Sequence, residues 1–271
     1  MPPPNEITVP QLARRVGLPD APATVDVRTD EDFAADPRLI PAARRRPWAA
    51  VEDWAPAYAG RHVVVTCQSG LKLSHGAAAW LRHLGLSAEA LEGGHEAWVA
   101  AGQPLVRDAA IPSRDGRGRT VWVTRQRPKI DRIACPWLIR RFVDPEAVFL
   151  YVPPPEVAGV AARFGATPFD VEGVFWSHRD ERCSFDTMLD EFGLDTPALR
   201  HLAGIVRGAD TARLDLAPHA AGLLAASLGL SRMYRDDLAQ LEAGMGLYDA
   251  FYRWCRDATD ETHNWPAAQP G

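Results

Sequence analysis

Residues 63–76 read V-V-V-T-C-Q-S-G-L-K-L-S-H-G. A β-branched run stops at Cys67, and residues 68–72 form a short connection. Apolar residues then recur at Leu73, Ala77, Trp80, Leu81 and Leu84, the spacing of one helix face. Strand, tight loop and helix in direct succession make a βα unit, and such units build parallel sheets covered by helices. The alternation recurs on both sides. Residues 23–28 read as a strand. Residues 88–91 read as another, followed by Gly93-Gly94 and a helix over 95–101 that Gly102 stops.

The loop after Cys67 has its own chemistry. Backbone N–H groups of such a loop point inward, and the helix N-terminus adds partial positive charge. Both favour a thiolate over a thiol. Lys72 adds a cation at the rim. The plain alternative is a cysteine packed under the sheet as a small apolar residue. The four cysteines (Cys67, Cys135, Cys183, Cys255) are too few and scattered for a disulfide framework, and there is no C-x-x-C.

Several ordered motifs over residues 20–106 carry a resemblance. They are Asp26-Val27-Arg28 with Glu31-Asp32-Phe33, Ile40-Pro41-Ala42-Ala43, the segment 63–72, Leu91-Glu92-Gly93-Gly94-His95-Glu96-Ala97-Trp98, and Gly102-Gln103-Pro104. This part resembles the rhodanese family of sulfurtransferases. The resemblance implies an α/β fold, a rhodanese-like parallel sheet with flanking helices. It implies that Cys67 accepts a sulfane sulfur as a persulfide and passes it to a thiol or cyanide. Gln68, Ser69, Gly70, Leu71 and Leu73 would cradle that persulfide, and no cofactor is required. Lys72 stands where the family usually has Arg, and Leu73 where it has Ser or Thr. Lysine keeps the charge but loses the bidentate fork suited to an oxyanion donor, so a shifted donor preference is expected. The resemblance implies Asp26 as a structural partner of the loop; the plain alternative is an Asp that ends a strand.

The expected layout is a first domain over 1–107, a linker over 108–118, a second domain over 119–260 and a tail over 261–271. The second domain reads as mainly helical (α+β). Residues 120–124 and 148–152 are strand-like. Helical faces run through 130–142, through 185–192 with Ser184 as N-cap, through 199–209, and over 220–230 and 238–254. This half, over 119–258, resembles the chromate-resistance protein domain, through R-P-K-I-D-R-I-A-C-P-W-L-I-R-R-F-V-D-P, F-D-V-E-G-V-F-W-S-H-R-D-E-R-C-S-F-D and I-V-R-G-A-D. The resemblance implies a link to chromate stress, as an accessory to sulfur handling or as a regulator.

Asp131 and Cys135 lie four residues apart on an apolar face, and a carboxylate there needs a partner. With His178, Glu181, Cys183, Asp186 and Asp210 they offer hard, borderline and soft ligands, and a candidate metal site would use His178 with carboxylates. The alternative is a polar network with Asp131 paired to Arg132 or Arg207, and with Asp186 and Asp210 capping helices. Over 107–132 basic side chains outnumber acidic ones eight to three, and over 170–195 acidic outnumber basic eight to two. The first segment suits a dianion such as chromate, sulfate or thiosulfate. The simpler reading sets the two segments against each other.

The formal net charge is −5, so no global attraction to nucleic acid or anionic membrane is expected. Contact with nucleic acid would fall to the basic segment or to Arg200, His201 and Arg207. A DNA-binding regulator with the rhodanese-like part as sensor is the competing function. The start of the chain, Met1-Pro2-Pro3-Pro4-Asn5-Glu6, lacks the charge and apolar core of a signal peptide, and the expected location is the cytoplasm.

Overall fold

The computed structural model describes residues 5–262. Met1-Pro2-Pro3-Pro4 and residues 263–271 of the tail lie outside the described residues. Five strands form one parallel sheet: β1 (Glu6–Ile7), β2 (Ala23–Asp26), β3 (Arg44–Arg45), β4 (His62–Thr66) and β5 (Ser87–Leu91). Their spatial order is β1-β5-β4-β2-β3, with β4 in the middle. All three valines of β4 are fully buried, because a central parallel strand is covered on both faces. Side chains alternate between those faces. Val63 and Val65 share a core with Ala77, Ala78 and Leu81 of helix α1 (Lys72–His83). Val64 turns to the other side, with Leu91 and with Trp98 of α2 (Gly94–Ala100).

That second core continues into the rest of the chain, through Trp122, Trp137, Phe142, Phe185 and Tyr252. The second half has a parallel sheet of β6 (Val121–Arg125), β7 (Val148–Val152) and β8 (Thr167–Pro168), in order β8-β6-β7. Around it lie α3 (Asp131–Leu138), α4 (Ser184–Phe192), α5 (Pro197–Asp210), α6 (Ala220–Met233) and α7 (Asp237–Asp257). Trp137 is the hub, ringed by Phe142, Phe185, Tyr248 and Tyr252.

Two expectations change. The helix expected over 130–142 is α3 followed by a π-helical turn, Ile139–Val143. Pro136 lies inside α3 and brings no N–H to the ladder, and a widened turn follows it. The N-cap of α4 is Cys183 rather than Ser184, with Asp186 accepting from the Cys183 N–H at 3.2 Å. Ser184 is then the first helical residue, free to donate its hydroxyl elsewhere.

The halves are also tied by polar groups. Asp144, fully buried, accepts from Arg44 of β3 at 2.7 Å and from the Thr120 amide and hydroxyl at 2.7 and 2.8 Å. The Ala42 amide donates to the Phe142 carbonyl at 2.6 Å. The segment read as a linker is folded on Asp115, which accepts from the amides of Arg117 and Arg119, both at 2.9 Å. Among the described residues no helix is long and apolar enough to cross a membrane.

Candidate functional site

Cys67 follows the last residue of β4 and is only 4% exposed. Its thiol donates to the Ser74 hydroxyl at 3.3 Å, and Ser74 donates in turn to the Leu71 carbonyl at 3.1 Å. The hydroxyl missing at Leu73 is thus supplied one residue later, from the first turn of α1. Ser74 was legible only as a polar residue on the buried face shared with Ala77 and Leu81.

A second loop holds the first. The His95 amide donates to the Cys67 carbonyl at 2.9 Å, and the Glu96 amide to the Gln68 carbonyl at 3.0 Å. The contact needs two glycines. Gly70 (φ +65°) and Gly94 (φ +59°) lie so close that a Cβ on either would strike the other's backbone. With these carbonyls engaged outward, the N–H groups of Gln68, Ser69, Gly70 and Leu71 meet no acceptor among the described residues. Free amides at the mouth of a 12-residue helix make an anion cradle. Lys72 is exposed at its rim and lines a groove of about 900 Å³ with Trp48, Val51, Leu73 and Trp80.

Ser74→Ala removes the partner of the Cys67 sulfur and, with it, the hydrogen bond to the carbonyl of exposed Leu71. One hydrogen bond of about 0.5–1.5 kcal/mol corresponds to a roughly 3- to 10-fold slower sulfur loading. Stopped-flow loading with unchanged far-UV circular dichroism checks it.

Behind the loop the support is ionic. Asp26 pairs in register with Thr66, next to Cys67. Its carboxylate accepts from Arg28 at 2.9 and 2.7 Å, and both side chains are buried. The remaining Arg28 donors reach the carbonyls of Asp36 and Arg38. His95, also buried, meets Asp36 at 2.9 Å. Burial outweighs that contact and lowers the His95 pKa. The Arg38 hydrogen bond, with His95, brings the Asp36 pKa down to about 2. Both groups bind protons more readily when unfolded. The His95 contribution is therefore present above about pH 6.5 and is lost as pH falls below it. That of Asp36 is lost lower, from about 3.8 towards 2. His95→Gln should flatten the upper limb of a stability–pH curve and keep most of the lower one, which Arg38 carries, as urea titrations at stepped pH would show.

The second half gathers another polar group. His178 Nε2 lies 3.1 Å from Asp210, 3.4 Å from Asp170 and 3.5 Å from Asp131. Hydrogen bonds to Asp170 and then Asp210 raise the His178 pKa to about 10. Burial, then the neighbouring Asp210 and Asp170 charges, push the Asp131 pKa up. Ile130 (φ +32°) and Asp170 (φ +50°) hold left-handed backbone around the cluster.

Of the expected ligands, Asp131, His178 and Asp210 come together and the Cys183 thiol borders Asp131, whereas Asp186 stands apart. The Cys183 thiol donates to Asp186 at 3.4 Å, and Asp186 is held by Arg207 at 3.0 Å. Burial, then the Asp131 charge, keeps Cys183 and Cys135 as thiols. Asp131 has neither Arg132 nor Arg207 as partner, since Arg132 meets Asp170 and Arg207 meets Asp186. Asp170 was legible only as one charge in an acidic tract, because it lies in a loop without periodicity.

The basic and acidic tracts do face each other. Arg125 and Arg132 pair with Asp170, and Arg107 donates to the Asp190 carbonyl at 2.8 Å. The basic side chains of α5 are engaged as well, Arg200 with Asp190 and Asp195, Arg207 with Asp186.

Comparison with known proteins fits this two-part layout. The Rhodanese-like domain family matches residues 8–101, and the family "ChrB, C-terminal domain" matches 122–255. "Protein ChrB" of Cupriavidus metallidurans is 33% identical over 163 residues, covering 57% of this chain and 47% of that protein. The chain thus spans about half the length of this curated relative. A thiosulfate sulfurtransferase of Pseudomonas aeruginosa is 30% identical over 37% of this chain and 19% of that chain, with a TM-score of 0.33. A rhodanese-related protein of Thermoplasma volcanium is 24% identical over 38% of this chain and 97% of that chain, also at 0.33. The chain is a rhodanese-like domain joined to a ChrB C-terminal domain.

Proposed function

We propose that the chain transfers sulfane sulfur through Cys67, in a protein whose ChrB-type half ties it to chromate resistance. The observation that carries this reading is the set of unpaired amides from Gln68 to Leu71 around a cysteine at the mouth of α1. N–H groups that no protein acceptor engages, at the mouth of a helix, are open to an anion, and a persulfide is an anion held on the same side chain.

The chemistry balances without an added oxidant. The Cys67 thiolate attacks the outer sulfur of a donor such as thiosulfate. The donor's S–S bond breaks, sulfite leaves with the electron pair, and Cys67 carries a persulfide. Cyanide or an acceptor thiolate then attacks the terminal sulfur, and the Cys67 thiolate is restored. Lys72 offsets the charge of the entering dianion as a point charge, without the fork of an arginine.

Intact mass after incubation with thiosulfate, under non-reducing conditions, tests the reading. One added sulfur atom per chain, discharged by cyanide, is expected. A chain that gains none from thiosulfate, mercaptopyruvate or a persulfide donor overturns it.

A further inference from the structure

We propose that Asp131, Asp170 and His178, with Asp210 beside them, bind a divalent first-row transition ion in the ChrB-type half, and that zinc fits the geometry best. The ligand atoms of Asp131, Asp170 and His178 all lie within 4.8 Å of one another. The separations of 3.1, 3.4 and 3.5 Å from His178 Nε2 to the three carboxylates have a further meaning. Two ligand atoms each about 2.0–2.1 Å from a tetrahedral ion stand roughly 3.3 Å apart. The three separations at His178 Nε2 therefore match edges of such a site, with Asp131, Asp170 and His178 as its centre and Asp210 at its border.

A second observation points to a missing partner. Asp131 is fully buried, and its Oδ1 receives no hydrogen bond. Its other oxygen accepts from the Ser184 amide, and no lysine or arginine pairs with it among the described residues. His178 lies against that same Oδ2, so a buried carboxylate beside two others keeps a bare Oδ1 that is costly unless a further cation reaches it.

The surroundings favour a metal over a simple ion pair. Asp170 is oriented by Ser184 at 2.8 Å on one oxygen, and by Arg125 and Arg132 on the other. Ligands held by outer hydrogen bonds in this way are typical of metal sites. The donor set is imidazole and carboxylate, which suits a borderline ion rather than a soft one. His178 is 41% exposed, so the ion has a way in. This site stands apart from Cys67, and its fate does not depend on the sulfur reading.

The test is isothermal titration of the full-length Cys67→Ala chain with Zn²⁺, after removal of metal by chelation. Cys67→Ala keeps the loop thiolate from capturing the probe. One Zn²⁺ per chain is expected, with a Kd below about 1 μM and a raised Tm. Adding His178→Ala or Asp131→Asn should weaken binding by at least roughly 100-fold. Should Asp131→Asn fail to fold, the partly exposed His178 decides alone, with circular dichroism to confirm its fold. No stoichiometric binding by the parent, or binding that survives His178→Ala, overturns the proposal.

Discussion

Cys67→Ala should load no sulfur from thiosulfate and should lower thiocyanate production by roughly three orders of magnitude or more. The expected loss is this large because no neighbour can replace the nucleophile. The nearest hydroxyl, Ser74, is fully buried and already committed to the Leu71 carbonyl. The other cysteines sit in the second half, where burial keeps them protonated. Stability should hardly move, because the exchange removes one sulfur atom from a well-packed site. Intact mass and a thiocyanate assay on parent and variant decide it. Loading that persists in the variant would place the sulfur on another residue and leave the amide cradle without a role.

Asp26→Ala has the largest expected effect on stability. It leaves the Arg28 guanidinium buried with two carbonyls and the Phe33 ring but no counter-charge in contact. Removing one partner of a buried pair costs about 3–5 kcal/mol, far above the value of an exposed ion pair. For a chain of this size that is a fall in Tm of roughly 6–20 °C. The double variant Asp26→Ala with Arg28→Met should recover much of the loss, because the penalty comes from the uncompensated charge. Urea unfolding of the parent, Asp26→Ala and the double variant measures both. A loss under about 1 kcal/mol for Asp26→Ala, or no recovery in the double variant, would show that this pair does not hold the end of β2 beside the cysteine loop.

Much of the fold was legible because it is local. The valines of β4, the apolar stripe of α1 and the glycine pair before α2 specify their elements within a few residues. The strand expected over 148–152 is β7 itself. The helix read over 130–142 was misjudged at its end because Pro136 acts through the hydrogen-bond ladder rather than through hydrophobic spacing.

The Cys67 loop was legible for the same reason, since nucleophile, amides and helix N-terminus lie within six residues. Ser74 was missed because its role depends on which way the first turn of α1 points. The second cluster shows the other limit. Asp131, Asp170, His178 and Asp210 come from the start of α3, two loops and the end of α5, and no periodicity links them. By itself the sequence determined the strand–cysteine–loop–helix unit and the chemistry it can hold, because backbone geometry over a few residues is fixed by their side chains. Only the tertiary structure decided which carboxylates meet His178, and that both halves share one core through Phe142 and Tyr252. Contacts between residues far apart in the chain are set by packing, and packing leaves no local mark.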